Sequence, residues 1–226
     1  MKKNSDRTII RLVIATGISS VVTQLLTIRE LLTQFQGNEI VIALVLFNWL
    51  CLGGLGTLLA RIVTRRFSQA TVTRLGWVSL ILAGLSALQI PTIRKLHNVI
   101  FNYGSSVGFY PTWLYSFFII APYCLLLGFV LPYSLFTIRA KISNYPGTHI
   151  YIADNIGDLC GGILFSFALV YLVTPLQAIM LSNLPLIAAI YFLCPATVLH
   201  RRAYLAAIAL VVGLLAGGLI WEHASL

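Results

Sequence analysis

Seven apolar runs of membrane-crossing length, separated by short breaks, constrain this chain more than any other feature. They cover about residues 9–32, 39–63, 75–93, 112–138, 149–173, 176–199 and 203–221. At ~1.5 Å rise per residue, about 20 apolar residues cross the hydrocarbon core of a bilayer as a helix. The backbone must satisfy its own hydrogen bonds in lipid, which leaves the helix as the form for such runs. Only 9% of the residues are charged and 59% are hydrophobic, against about 25% charged in soluble domains. A water-facing surface cannot be covered from that composition, and disorder needs low hydrophobicity. The expected fold is all-α: a polytopic integral membrane protein of seven transmembrane helices, one membrane domain over residues 1–226.

The breaks give the organisation. The first run is longer than the ~7–15 apolar residues of a signal peptide and lacks an A-x-A site, so it reads as a retained helix. Gln36-Gly37-Asn38 forms a hinge, Arg65, Arg66 and Arg74 a basic loop, and Pro91 marks the end of helix three. Residues 94–111 form the one long loop, with Tyr103, Phe109, Tyr110 and then Trp113 as interfacial aromatics. Pro122 and Pro132 kink helix four, Thr174-Pro175 ends helix five, Pro185 and Pro195 kink helix six, and His200-Arg201-Arg202 is a basic stop.

The formal charge of +9 has a membrane explanation. Lys2, Lys3, Arg7, Arg11, Arg61, Arg65, Arg66, Arg74, Arg139, Lys141, Arg201 and Arg202 fall on one side of the seven-helix layout; Arg94 and Lys95 fall on the other. The positive-inside rule then puts the N-terminus in the cytoplasm and the C-terminus outside a bacterial inner membrane. Basic clusters in this pattern exclude nucleic acid as the partner and make the bilayer the first one. Cys51, Cys124, Cys160 and Cys194 lie in apolar runs without CxxC or Cys/His spacing and read as small hydrophobes.

Charges inside spans carry the functional signal, since an Asp or Arg at the bilayer centre costs about 2.5–3.5 kcal/mol on insertion scales and faces the bundle interior. The candidates are Arg29, Glu30, Glu39, Asp154 and Asp158. Asp154 and Asp158, at i,i+4, share one face of helix five, with Asp158 near mid-membrane. Two readings stay open. The acids pair with Arg29, Gln24, Asn48 or Asn155 and fix packing, or they line a polar path for protons, an amine or another head group. Arg29-Glu30, with Glu39, reads either as an ion-pair cluster holding the hinge or as a ligand site open to the outer leaflet. His149 opens helix five and reads as a solvated residue more readily than as a proton or quinone ligand. Gly157-x-x-x-Gly161 is a helix-contact pattern. Gly53-Gly54-x-Gly56 follows no strand and reads as a close-packing face, not a dinucleotide loop. No nucleophile–base pair, P-loop, H-E-x-x-H, heme-attachment motif or iron–sulfur spacing names a cofactor.

Several segments resemble the membrane region of bacterial spermidine synthase-like membrane proteins. These are Gln24-Leu-Leu-Thr-Ile-Arg-Glu-Leu-Leu followed by Gly37, and Gly53-Gly-Leu-Gly-Thr-Leu-Leu-Ala-Arg61 leading to Arg65-Arg66, which is also similar to the loop of major-facilitator transporters. Gly128-Phe-Val-Leu-Pro132 resembles the family's G-x-x-L-P, and Tyr151-Ile-Ala-Asp154-Asn-Ile-Gly157-Asp-Leu-Cys-Gly161 its Y-x-x-N-x-x-G-x-x-x-G. The resemblance covers about residues 9–193 and implies a 3+3 arrangement, 9–93 echoed by 112–199, with 203–221 as an extra helix. In that family the membrane region precedes an aminopropyl transferase-like domain, which has no counterpart here. Asp154 stands where the family often has Asn, Asp158 where it often has a small residue, and Gln24 where many members have Glu. No aminopropyl-transfer catalytic residue can therefore be carried over.

Three functions follow as expectations. The first is a non-catalytic membrane subunit that anchors or couples membrane, periplasmic or cytoplasmic partner subunits, as in a respiratory or electron-transfer complex. The second is a half-transporter that dimerises around a path lined by Asp154, Asp158, Glu39 and Arg29. The third is a subunit holding a quinone or lipid between helices one, two and five.

Overall fold

The structure, a computed structural model, describes residues 2–66, 70–101, 107–193 and 198–224. It is helical throughout the described residues, with no strand. The helices are α1 (Lys2–Gln34), α2 (Ile40–Arg66), α3 (Val72–Ile100), α4 (Phe109–Arg139), α5 (Gly147–Leu172), α6 (Pro175–Phe192) and α7 (Val198–Ala224). The first six are long and apolar enough to cross a membrane. Leu50, Val99, Phe118 and Phe167 are each more than two-thirds exposed. A belt of large bare hydrophobics suits a molecule embedded in lipid and would not persist on a water-soluble surface.

α1 is the axial helix, in contact with α2, α3, α4, α5 and α6. Two helix pairs make the closest approaches. α1 and α5 run parallel, with Gly157 against Ile14 and Gly161 against Ile18. A Cβ at Gly17 would come within 2.8 Å of the Asp154 carbonyl. α2 and α4 also run parallel, joined by Asn48 to Ser116 near one end and by Thr57 to Gly128 further along. There Gly56 abuts the Leu125 carbonyl, and Gly128 abuts the Gly53 backbone. Small residues let these backbones approach and gain dispersion contacts that lipid cannot match. α7 packs on α3 and α6. Its Tyr204 fills the space above Gly76, donates to the Ile190 carbonyl at 3.0 Å and lies edge-on to Trp77.

Several element ends differ from the sequence expectation. α1 begins at Lys2, not near residue 9. Pro91 does not end α3, which continues to Ile100. The turn beyond the proline is tied down on two sides: Tyr115 Oη donates to the Ile93 carbonyl at 2.6 Å, and Arg94 pairs with α1. The expected long loop is shortened accordingly, since Arg94 and Lys95 belong to α3. α5 widens into a π turn at Phe165–Leu169 before ending at Leu172. α6 ends at Phe192, and His200–Arg202, expected as a stop between helices, lie within the first turns of α7. Pro195, Cys194 and Tyr103 fall outside the described residues. The hinge stands: Gln36 (φ 57°) and Gly37 (φ 77°) turn the chain left-handed, and Asn38 Oδ1 accepts from Ile40 N at 3.0 Å.

Candidate functional site

The pair of close contacts creates the site. α5 is held by α1 and α2 by α4, while α2 and α5 barely meet. A cavity of about 380 Å³ is left between these four helices. Its polar lining is Thr16, Ser20 and Gln24 from α1, Thr57 from α2, and Asp154 and Asp158 from α5. Trp49, Leu50, Gly53, Gly54 and Gly128 complete the walls. Both carboxylates are half-buried, and Ser20, whose hydroxyl donates to the Gly17 carbonyl at 2.9 Å, lies against Asp158. Among the described residues no Lys, Arg or His lines this cavity. Two carboxylates one helical turn apart, in a low-dielectric setting and without a base, attract a cation or protons.

Of the five charged candidates, the structure brings together only Asp154 and Asp158. Arg29 and Glu39 are exposed, outside the cavity. Glu30 is buried and points across the bundle. Arg94 Nε donates to its Oε1 at 2.8 Å and Nη2 to Oε2 at 2.9 Å, while Gln34 Nε2 donates to Oε1 at 3.2 Å. The expected hinge cluster of Arg29, Glu30 and Glu39 gives way to this forked pair between α1 and α3, the one salt bridge among the described residues. The geometric cause is that α3 runs past Pro91 and brings Arg94 level with Glu30. His149 is exposed and packs edge-on to Tyr145.

The expected amide partners of the acids are engaged elsewhere. Asn48 Nδ2 donates to Ser116 Oγ and Asn48 Oδ1 accepts from Trp113 Nε1, both at 3.0 Å. Trp113, expected at the interface, therefore ties α4 to α2. Asn155 is exposed. Gln24 shares the cavity with both acids. Of the four helix-packing glycines expected, Gly157 and Gly161 meet α1 directly. A Cβ at Gly53 or Gly54 would meet nothing within 4 Å, so their missing side chains open the cavity wall. The crossing itself is made by Gly56 and Gly128, and by Gly17 on α1.

A second polar centre was not anticipated. Asn183, fully buried on α6, accepts from Ser19 Oγ at 3.0 Å and donates to Ser86 Oγ at 2.9 Å and to the Ile179 carbonyl at 2.8 Å. It joins α1, α3 and α6. A short polar step, Ser182-Asn183, in an apolar run was its only sequence signal, and Asn183 shows none of the charge that drew attention to the acids. Cys124 is buried, while Cys51 and Cys160 are exposed on the bundle surface. No group of three or more His, Cys, Asp or Glu among the described residues could hold a metal ion. No family model, curated protein or solved structure matches this chain.

Proposed function

We propose that this protein is an integral membrane subunit that couples to a partner by receiving a basic side chain in the cavity between α1/α5 and α2/α4. The observation that carries this reading is the lining: two carboxylates and no base, in a space that takes one long cationic side chain. Isolated carboxylates in a membrane are costly. A Lys or Arg on a partner helix would offset that cost, and the bare Gly53–Gly54 wall leaves room for a partner backbone to approach. A quinone or lipid held between helices one, two and five would occupy the same space, but paired carboxylates favour a cationic group over either. The basic cluster around Arg61, Arg65, Arg66, Arg139 and Lys141 supports a cytoplasmic N-terminus, and α7 a seventh span in a bacterial inner membrane.

The test is gentle extraction into lipid nanodiscs of the wild type and of Asp154→Asn/Asp158→Asn. The wild type retains a partner subunit through size exclusion and the double variant loses it. A wild type that runs alone, or a double variant that keeps the partner in full, overturns the reading.

A second reading, a dimerising half-transporter, has its own support. Exchanging α1–α3 for α4–α6 turns the α1/α5 pair into α4/α2 and the α1/α6 pair into α4/α3, and each of these pairs is packed. Such exchange fits an inverted 3+3 repeat, whose substrate sites lie near the midplane between repeats. Uptake of an organic cation into proteoliposomes, abolished by Asp158→Asn, would favour it; uptake indifferent to that change would count against it.

A further inference from the structure

The face of the bundle between α1 and α6 carries a feature that the carboxylate cavity does not use. A groove of about 240 Å³ runs between the two helices. It exists because Ala15, Ala188 and Ala189 are too short to close the space left by Ile14, Ile18 and Phe192. No residue lines both this groove and the carboxylate cavity. Ala188 and Phe192 are exposed, so the groove opens on the outer surface of the bundle.

The mouth of the groove is basic. Arg11 lines it at the end where α1 begins, and Arg7, one turn earlier, lies on the same face of the helix. Both side chains are exposed. α7 starts at this end too: Tyr204 donates to the carbonyl of Ile190, two residues before Phe192, and Arg201 and Arg202 just ahead of it are exposed. The one salt bridge among the described residues is Glu30–Arg94, towards the opposite end of α1, so no carboxylate among them pairs with Arg7 or Arg11. From Arg11 to Ile18 the helix rises about 10 Å. The order along this face is therefore guanidinium first and apolar groove beneath. A phospholipid has the same order, with a phosphodiester at the interface and acyl chains below it. Arginine takes phosphate in a forked, charge-assisted pair, and basic pockets between transmembrane helices hold anionic head groups.

We propose that this groove binds an anionic phospholipid, its phosphodiester held by Arg11 with Arg7 and an acyl chain lying between α1 and α6. Charge selects the class. The phosphate of a zwitterionic lipid carries its own cation, which would meet a mouth that is already positive, whereas an anionic lipid brings only the charge that Arg7 and Arg11 lack. A second copy of the chain inserted in the same direction does not fit the mouth as well. Glu39, its one exposed acid among the described residues, follows the far end of α1. The acyl chain gains dispersion contacts along walls that the chain itself leaves unfilled. The site uses other residues than the carboxylate cavity, so it holds or fails independently of what occupies that cavity.

Native mass spectrometry tests the site, on the full chain released from nanodiscs that hold equal amounts of phosphatidylglycerol and phosphatidylcholine with identical acyl chains. The wild type should retain one phosphatidylglycerol, favoured over phosphatidylcholine by about tenfold or more, as one charge-assisted hydrogen-bonded pair implies. Arg11→Gln should bring that ratio close to one, and Arg29→Gln, exposed towards the other end of α1, should leave it unchanged. Arg7→Gln, which should lower the ratio in the same direction, is the second probe if Arg11→Gln does not fold. Ala188→Leu, at an exposed position, fills the groove and should reduce the occupancy of both lipids several-fold while keeping their ratio. Glycerol phosphate in excess, which has the head group without the chain, should not displace the lipid. Equal retention of the two lipids by the wild type, a wild-type ratio in folded Arg11→Gln or Arg7→Gln, or wild-type occupancy in Ala188→Leu overturns the site. So does displacement by glycerol phosphate, or a dimer that carries neither lipid.

Discussion

Arg94→Met should destabilise the protein far more than any change at Arg29. Glu30 and Arg94 form a forked pair with 2.8 and 2.9 Å bonds, and their side chains are 8% and 29% exposed. Removing one partner of a fully buried ion pair costs about 3–5 kcal/mol, because the other charge is stranded. Arg94 keeps partial access to solvent and Gln34 still donates to Glu30, so the expected loss is nearer to about 2–3 kcal/mol. Arg29→Met, at an exposed position, should change stability by less than about 0.5 kcal/mol. Replacing both members, as Glu30→Leu/Arg94→Met, removes the stranded charge and should recover most of the loss. Equilibrium unfolding in bicelles for the wild type, each single variant and the double closes the cycle. A neutral Arg94→Met, or an Arg29→Met as harmful as Arg94→Met, would refute the pairing across the bundle and restore the local hinge cluster.

Other outcomes follow from the same geometry. Gly54→Ala should stabilise the chain by about 0.5–1 kcal/mol through helix propensity, since its Cβ meets nothing within 4 Å. Gly157→Ala should instead lower the melting temperature, because its Cβ drives into the Ile14 carbonyl; thermal unfolding in detergent reads both signs. Asn183→Leu strands Ser19 at the junction of α1, α3 and α6, while Ser86 keeps its bond to the Ala83 carbonyl, and should cost about 1–3 kcal/mol by the same measurement. In the isolated chain, Asp154→Asn/Asp158→Asn should leave thermal stability unchanged or raise it, since no base among the described residues lines the cavity that holds these acids. A drop of several degrees would mean they are structural.

The helices were legible because length and apolarity alone specify a span, whatever the rest of the chain does. Contacts between helices were less so. Gly157 and Gly161 announce themselves by spacing within one helix, but Gly56 meets Gly128 only because two distant segments cross there, and neither position carries that information by itself. Pro91 misled for a related reason. It removes one helical hydrogen bond, a local cost that Tyr115 and Glu30 offset from other helices. Asp154 and Asp158 were readable as a site because charge is rare in these runs.

Cross-linking from inside the cavity tests the central claim most directly. A photoreactive residue at position 54, where a side chain projects into open space beside the two carboxylates, would be irradiated in native membranes. The account predicts an adduct with a membrane partner at a segment bearing a Lys or Arg, lost when Asp154→Asn/Asp158→Asn is added. An adduct that forms equally well without the carboxylates, or labelling of lipid alone, would contradict it.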